Sequence, residues 1–80
     1  MNIYNKKVFL LPDSHRSMAC IHAKVMEDSI MKVTIHDYNG SIRLWNNLGN
    51  ADEVDEAIEK LTNLEFEINS LREFIKDNYK

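Results

Sequence analysis

Residues 51–80 contain no glycine and no proline, and they follow an asparagine, Asn50. This uninterrupted run constrains the fold more than any other feature of the chain. Thirty residues without a breaker, opened by a side chain that accepts from a free helical N–H, predict one continuous helix. Glu53 stands three residues after Asn50 and completes a capping-box-like start, with Asp52, Asp55 and Glu56 at the positive end of the helix dipole. Lys76 and Lys80 suit the other end. At 100° per residue, Val54, Ala57, Ile58, Leu61, Leu64, Ile68, Leu71, Ile75 and Tyr79 fall on one stripe.

The first fifty residues read as β. Strand candidates are 7–11 (ended by Pro12), 18–26, 30–38 and 41–45. Glu27-Asp28-Ser29 reads as a three-residue turn, pairing Met26 with Ile30, Val25 with Met31, Ala23 with Val33 and Ile21 with Ile35. Asn39-Gly40 is the favoured pair for a type I′ hairpin. That turn predicts Tyr38 opposite Ser41, His36 opposite Arg43, Ile35 opposite Leu44 and Thr34 opposite Trp45. Alternation then gathers Ala19, Ile21, Ala23, Val25, Met31, Val33, Ile35, Ile42 and Leu44 on one face. The opposite face holds Cys20, His22, Lys24, Lys32, Thr34, His36, Tyr38, Arg43 and Trp45.

The expected fold is therefore α+β: an antiparallel four-stranded meander (1–50), then one long C-terminal helix (51–80) packed on the apolar sheet face. Eighty residues make a single domain. A 30-residue helix spans about 45 Å, whereas strands of this length span roughly 17–30 Å, so the helix should overhang the sheet. Phe66 and Phe74 lie off its main stripe. The expectation is a homodimer or higher oligomer built through Leu64, Phe66, Ile68, Leu71, Phe74 and Ile75.

Several function classes lose support. No apolar run approaches the roughly 20 residues of a membrane helix, and the apolar stretch after Lys6-Lys7 is too short for a signal peptide, so a cytoplasmic protein is expected. Phosphate-loop, dinucleotide-binding and nucleophile-elbow motifs are absent. Cys20, His22 and His36 share a face but lack a fourth ligand, so neither a metal nor a cofactor is expected. With no catalytic constellation, the chain is not expected to be an enzyme. A composite site at an oligomer interface is the exception that one chain cannot display.

Charge divides at Asn50. Residues 1–50 carry six Lys/Arg and four acids, a balance of +2, and residues 51–80 carry four Lys/Arg and nine acids, a balance of −5. An anion should therefore meet the β half. His15, Arg16, His36, Arg43 and Trp45 are the candidate ligand-binding residues: two guanidinium forks, two imidazoles and an indole that can stack on a base. With a pI near 5.5 and no basic run, long nucleic acid is a poorer fit than a small phosphorylated ligand. The leading expectation is a non-catalytic homo-oligomer that sequesters or senses a phosphate-bearing ligand such as a nucleotide. The alternative is a protein-binding inhibitor or adaptor, of the size class of virus-encoded accessory proteins, acting through the same face or the acidic helix. Trp45, Tyr38 and Arg43 are of the types that dominate protein interfaces.

Overall fold

The structure is a computed structural model, and it describes residues 4–14 and 16–80. Four antiparallel strands form one sheet in the order β1-β2-β3-β4, with β1 at Tyr4–Phe9, β2 at Cys20–Met26, β3 at Ile30–Asp37 and β4 at Gly40–Asn47. One helix, α1, follows at Ala51–Tyr79. The chain is thus a single-sheet α+β meander with a C-terminal helix.

The β2–β3 hairpin has the expected register, with Met26 opposite Ile30 and Ile21 opposite Ile35. Its three-residue turn closes through Ser29 N–H donating to the Met26 carbonyl at 3.0 Å, with Ser29 at φ 61°. A left-handed residue at the third turn position is the usual way such a loop matches the strand twist.

The β3–β4 hairpin departs from expectation by two residues. Asp37 pairs with Gly40, His36 with Ser41, Ile35 with Ile42, Thr34 with Arg43, Val33 with Leu44 and Lys32 with Trp45. The turn residues are Tyr38-Asn39, and neither takes a positive φ, so the turn is not type I′. The Asp37 carboxylate accepts from Asn39 N–H at 2.8 Å, and Gly40 carries the positive φ, 151°. Asp at the first position and Gly at the fourth favour a type I turn, and here they outcompete the Asn-Gly preference. Because side chains alternate with period two, a two-residue slip leaves both sheet faces with the predicted residues.

β1 also lies earlier than expected. It starts at Tyr4 and ends at Phe9, with Tyr4 opposite Val25 and Phe9 opposite Cys20. Leu10 and Leu11 are outside it and exposed.

The helix begins as predicted. Asn50 has extended backbone angles, and its side chain accepts from Glu53 N–H at 2.9 Å. The Glu53 carboxylate in turn accepts from Gly49 N–H at 3.2 Å. Two otherwise unpaired donors at the start of α1 are satisfied locally.

The core is small. Met31 and Val33 on β3 and Ala57 on α1 are buried together, with Ile21, Ala23, Ile35, Leu44 and Leu48 packed around them. Of the expected helical stripe, only Ala57 is fully buried, at 3% exposure, and Leu64 is half-buried. Ile58, Leu61, Ile68, Leu71, Ile75 and Tyr79 remain exposed. On the sheet, Ile42 is 70% exposed. The helix therefore packs on the apolar face through its first turns, close to the β4 edge, and covers part of that face. A helix about 10 Å across cannot cover a sheet whose outer strands stand about 14 Å apart. Among the described residues, no helix is long and apolar enough to cross a membrane.

Candidate functional site

The sheet face away from α1 is a grid of side chains set by the three registers. One row holds Asn5, Lys24, Lys32 and Trp45. The next holds Lys7, His22, Thr34 and Arg43. The third holds Phe9, Cys20, His36 and Ser41. Lysines 7, 24 and 32, Arg43, His22 and His36 thus share one surface, and no Asp or Glu of the strands points to it. Among the described residues, ion pairs join only helical side chains: Arg72 to Glu73 at 3.4 Å and Lys76 to Glu73 at 4.0 Å.

Lys24 and Lys32 stand directly opposite one another. Like charges in that position disfavour the strand pair, and opposite charges would favour it. Lys7 Nζ sits 5.5 Å from the centre of the Phe9 ring, a cation–π contact in place of a carboxylate partner.

His22 registers this field. Its Nε2 lies 2.7 Å from the Asn5 side-chain oxygen. Its pKa is held below the ordinary 6.5, first by desolvation and then by the Lys24, Lys7 and His36 charges. The sign of the pH effect follows. The unfolded chain takes up this proton first, so the stability contributed by neutral His22 is complete above pH 6.5 and is lost as pH falls towards the folded value. Urea unfolding at stepped pH is expected to show stability declining below pH 6.5, and His22→Gln to flatten that decline. A decline of equal slope in the variant would assign it to other groups.

Within the grid, Lys32, Thr34, His36, Arg43 and Trp45 line a shallow groove of about 770 Å³. This volume lies within the range of small-molecule sites. Trp45 is 58% exposed, leaving an indole face free to stack. Three predicted ligand residues, His36, Arg43 and Trp45, are therefore brought together. Arg16 is not among them. It lines a second depression of about 340 Å³ with Ser14, Ser17, Met18, Ala19, Asp37 and Tyr38. The intervening loop bends there because the Ser14 and Ser17 hydroxyls accept from Arg16 N–H and Ala19 N–H, each at 3.3 Å. His15 lies outside the described residues.

Lys32 and Thr34 were not singled out as ligand-binding from the sequence. The signal was present, since both share the face of His36 by alternation. Lys7 cannot be placed on this face from the sequence, because the long connection between β1 and β2 is no tight turn and fixes no register.

Cys20 pairs with His36 across β2–β3, and Cys20 is buried. Among the described residues, no three of His, Cys, Asp or Glu cluster to hold a metal ion. The chain matches no protein-family model, no curated protein and no solved structure.

Proposed function

We propose that the protein is a non-catalytic binding protein whose open sheet face takes a small phosphate-bearing ligand, with a nucleotide as the best fit. The observation that carries this reading is the cluster of four cations, Lys7, Lys24, Lys32 and Arg43, on a face without a strand carboxylate, in which Lys24 faces Lys32. An arrangement that disfavours the empty sheet is relieved by a bound anion, which is the behaviour of a sequestering or sensing protein.

The groove residues divide the work by chemistry. Arg43 offers two parallel N–H donors to a phosphate. Lys32 adds a compact positive charge, and the Thr34 hydroxyl can donate to a phosphate oxygen. Trp45, opposite Lys32, supplies a stacking surface for a base. His36 adds an imidazole N–H that can donate to a phosphate oxygen.

Isothermal titration with nucleoside mono-, di- and triphosphates and with pyrophosphate tests the reading. Arg43→Ala and Lys32→Ala should each weaken binding by about ten- to a hundredfold, the worth of a charge-assisted hydrogen bond. Trp45→Ala should weaken nucleotides more than pyrophosphate. Arg16→Ala should leave affinity unchanged, because Arg16 lies in the other depression. Absence of binding across this panel, or Arg43→Ala and Lys32→Ala variants that bind like the parent, would overturn the assignment.

A further inference from the structure

The C-terminal two-thirds of α1 carries a second pattern. Leu61, Leu64, Ile68, Leu71, Ile75 and Asn78 recur at alternating steps of three and four residues. This is the spacing of a helix seam that packs against another helix. Val54 and Ala57 continue the same spacing upstream, where Ala57 is already buried against β3. From Leu61 onward the seam is largely uncovered: Leu64 is half-buried, and Ile68, Leu71 and Ile75 are each about half exposed or more.

We propose that a second copy of this chain covers this seam, with the two helices antiparallel and overlapping over residues 61–78. Two observations support a second copy, and a third sets its direction. The first is area. A compact chain of 9.4 kDa exposes about 5000 Å². This chain exposes 6994 Å², roughly 2000 Å² more than the compact value. A stable interface needs roughly 800 Å² from each partner, so the surplus is sufficient.

The second is self-complementarity. In the antiparallel overlap Leu64 meets the partner's Ile75 and Ile68 meets the partner's Leu71. Each contact occurs twice about the two-fold axis, as an isologous interface requires. Glu65 then lies beside the partner's Arg72, also twice. The Arg72 guanidinium is exposed, with its side chain held by the Asn69 side-chain oxygen at 2.7 Å.

The third fixes the direction. Charges alone suit both directions, since a parallel pair would match Lys60 with the partner's Glu65. The sheet decides. It packs on the Ala57 side of α1, which is the seam side. A parallel partner would place its own N-terminal turns where that sheet lies. An antiparallel partner meets only the overhanging turns, and the two sheets sit at opposite ends of the dimer. Their cationic faces remain open, so the pairing is independent of the ligand site. Phe74 flanks the seam, and Phe66 lies on the far side of the helix.

Sedimentation equilibrium at micromolar concentration should give twice the 9.4 kDa chain mass. Leu71→Glu should give the single-chain mass with its helical circular dichroism retained, since Leu71 is 59% exposed within the protomer. Phe66→Glu should stay dimeric. Under mild oxidation, with buried Cys20 left in place, Leu64→Cys mixed with Ile75→Cys should form the mixed disulfide, and Ile75→Cys alone should not cross-link. A monomeric or trimeric parent, a dimeric Leu71→Glu or a self-linked Ile75→Cys would each overturn the proposal.

Discussion

Asn46→Asp should remove about 3–5 kcal/mol of stability, although the two side chains have nearly the same shape. Asn46 is the only polar residue buried among the described residues. Its amide nitrogen donates to the Asn47 carbonyl at 2.8 Å and to the Glu53 carbonyl at 3.0 Å. The second bond ties β4 to the first turn of α1. Aspartate replaces a double donor with a carboxylate that faces two carbonyl oxygens. It loses both bonds and buries an unpaired charge. A domain of 80 residues has a total stability of only about 4–12 kcal/mol, so the variant should be close to unfolded at neutral pH.

Burial should raise the new carboxyl's pKa, so the folded state binds the proton more tightly than the unfolded chain. The deficit should therefore shrink as pH is lowered from neutral towards the ordinary carboxylate range. Urea melts at fixed protein concentration, at neutral and acidic pH, read both effects. A variant as stable as the parent would show that the Asn46–Glu53 bond does not hold helix to sheet.

Ala57→Glu should be similarly damaging, by about 3 kcal/mol or more. Alanine lets the helix backbone approach Met31 and Val33 closely, and those three residues are the buried centre of the core. Glutamate is nearly as good a helix former, so the loss reports docking rather than helix formation. Ala57→Ser, which adds one hydroxyl, should cost about 1–2 kcal/mol. Thermal unfolding followed by circular dichroism separates the two: cooperativity should survive in the serine variant and largely disappear in the glutamate variant. A fully cooperative Ala57→Glu transition at the parental temperature would mean that the sheet does not depend on α1 for cover.

Much of this architecture is legible from local chemistry. Asn50 and Glu53 mark the start of α1 because capping is an interaction between neighbours. The β2–β3 register follows from a three-residue turn whose ends are close in sequence. Both faces of the sheet follow from alternation, which is why Lys24, Lys32, His36 and Arg43 could be placed together before their registers were known.

The rest depended on choices made between segments. Alternation is blind to a slip of two residues, so the β3–β4 pairing was decided by Asp37 accepting from Asn39 N–H and by Gly40 taking the positive φ. The position of β1 was decided by its pairing along β2, from Tyr4 with Val25 to Phe9 with Cys20. Arg16 and Arg43 have the same chemistry in the sequence, but a loop carries one to a separate depression. The helical stripe looks continuous from Val54 to Tyr79, yet only its first turns meet the sheet. Propensity and periodicity act over a few residues and specify the elements. Which surfaces those elements cover, and which they leave for a ligand or a second copy, depends on lengths and widths that exist only once the elements are packed.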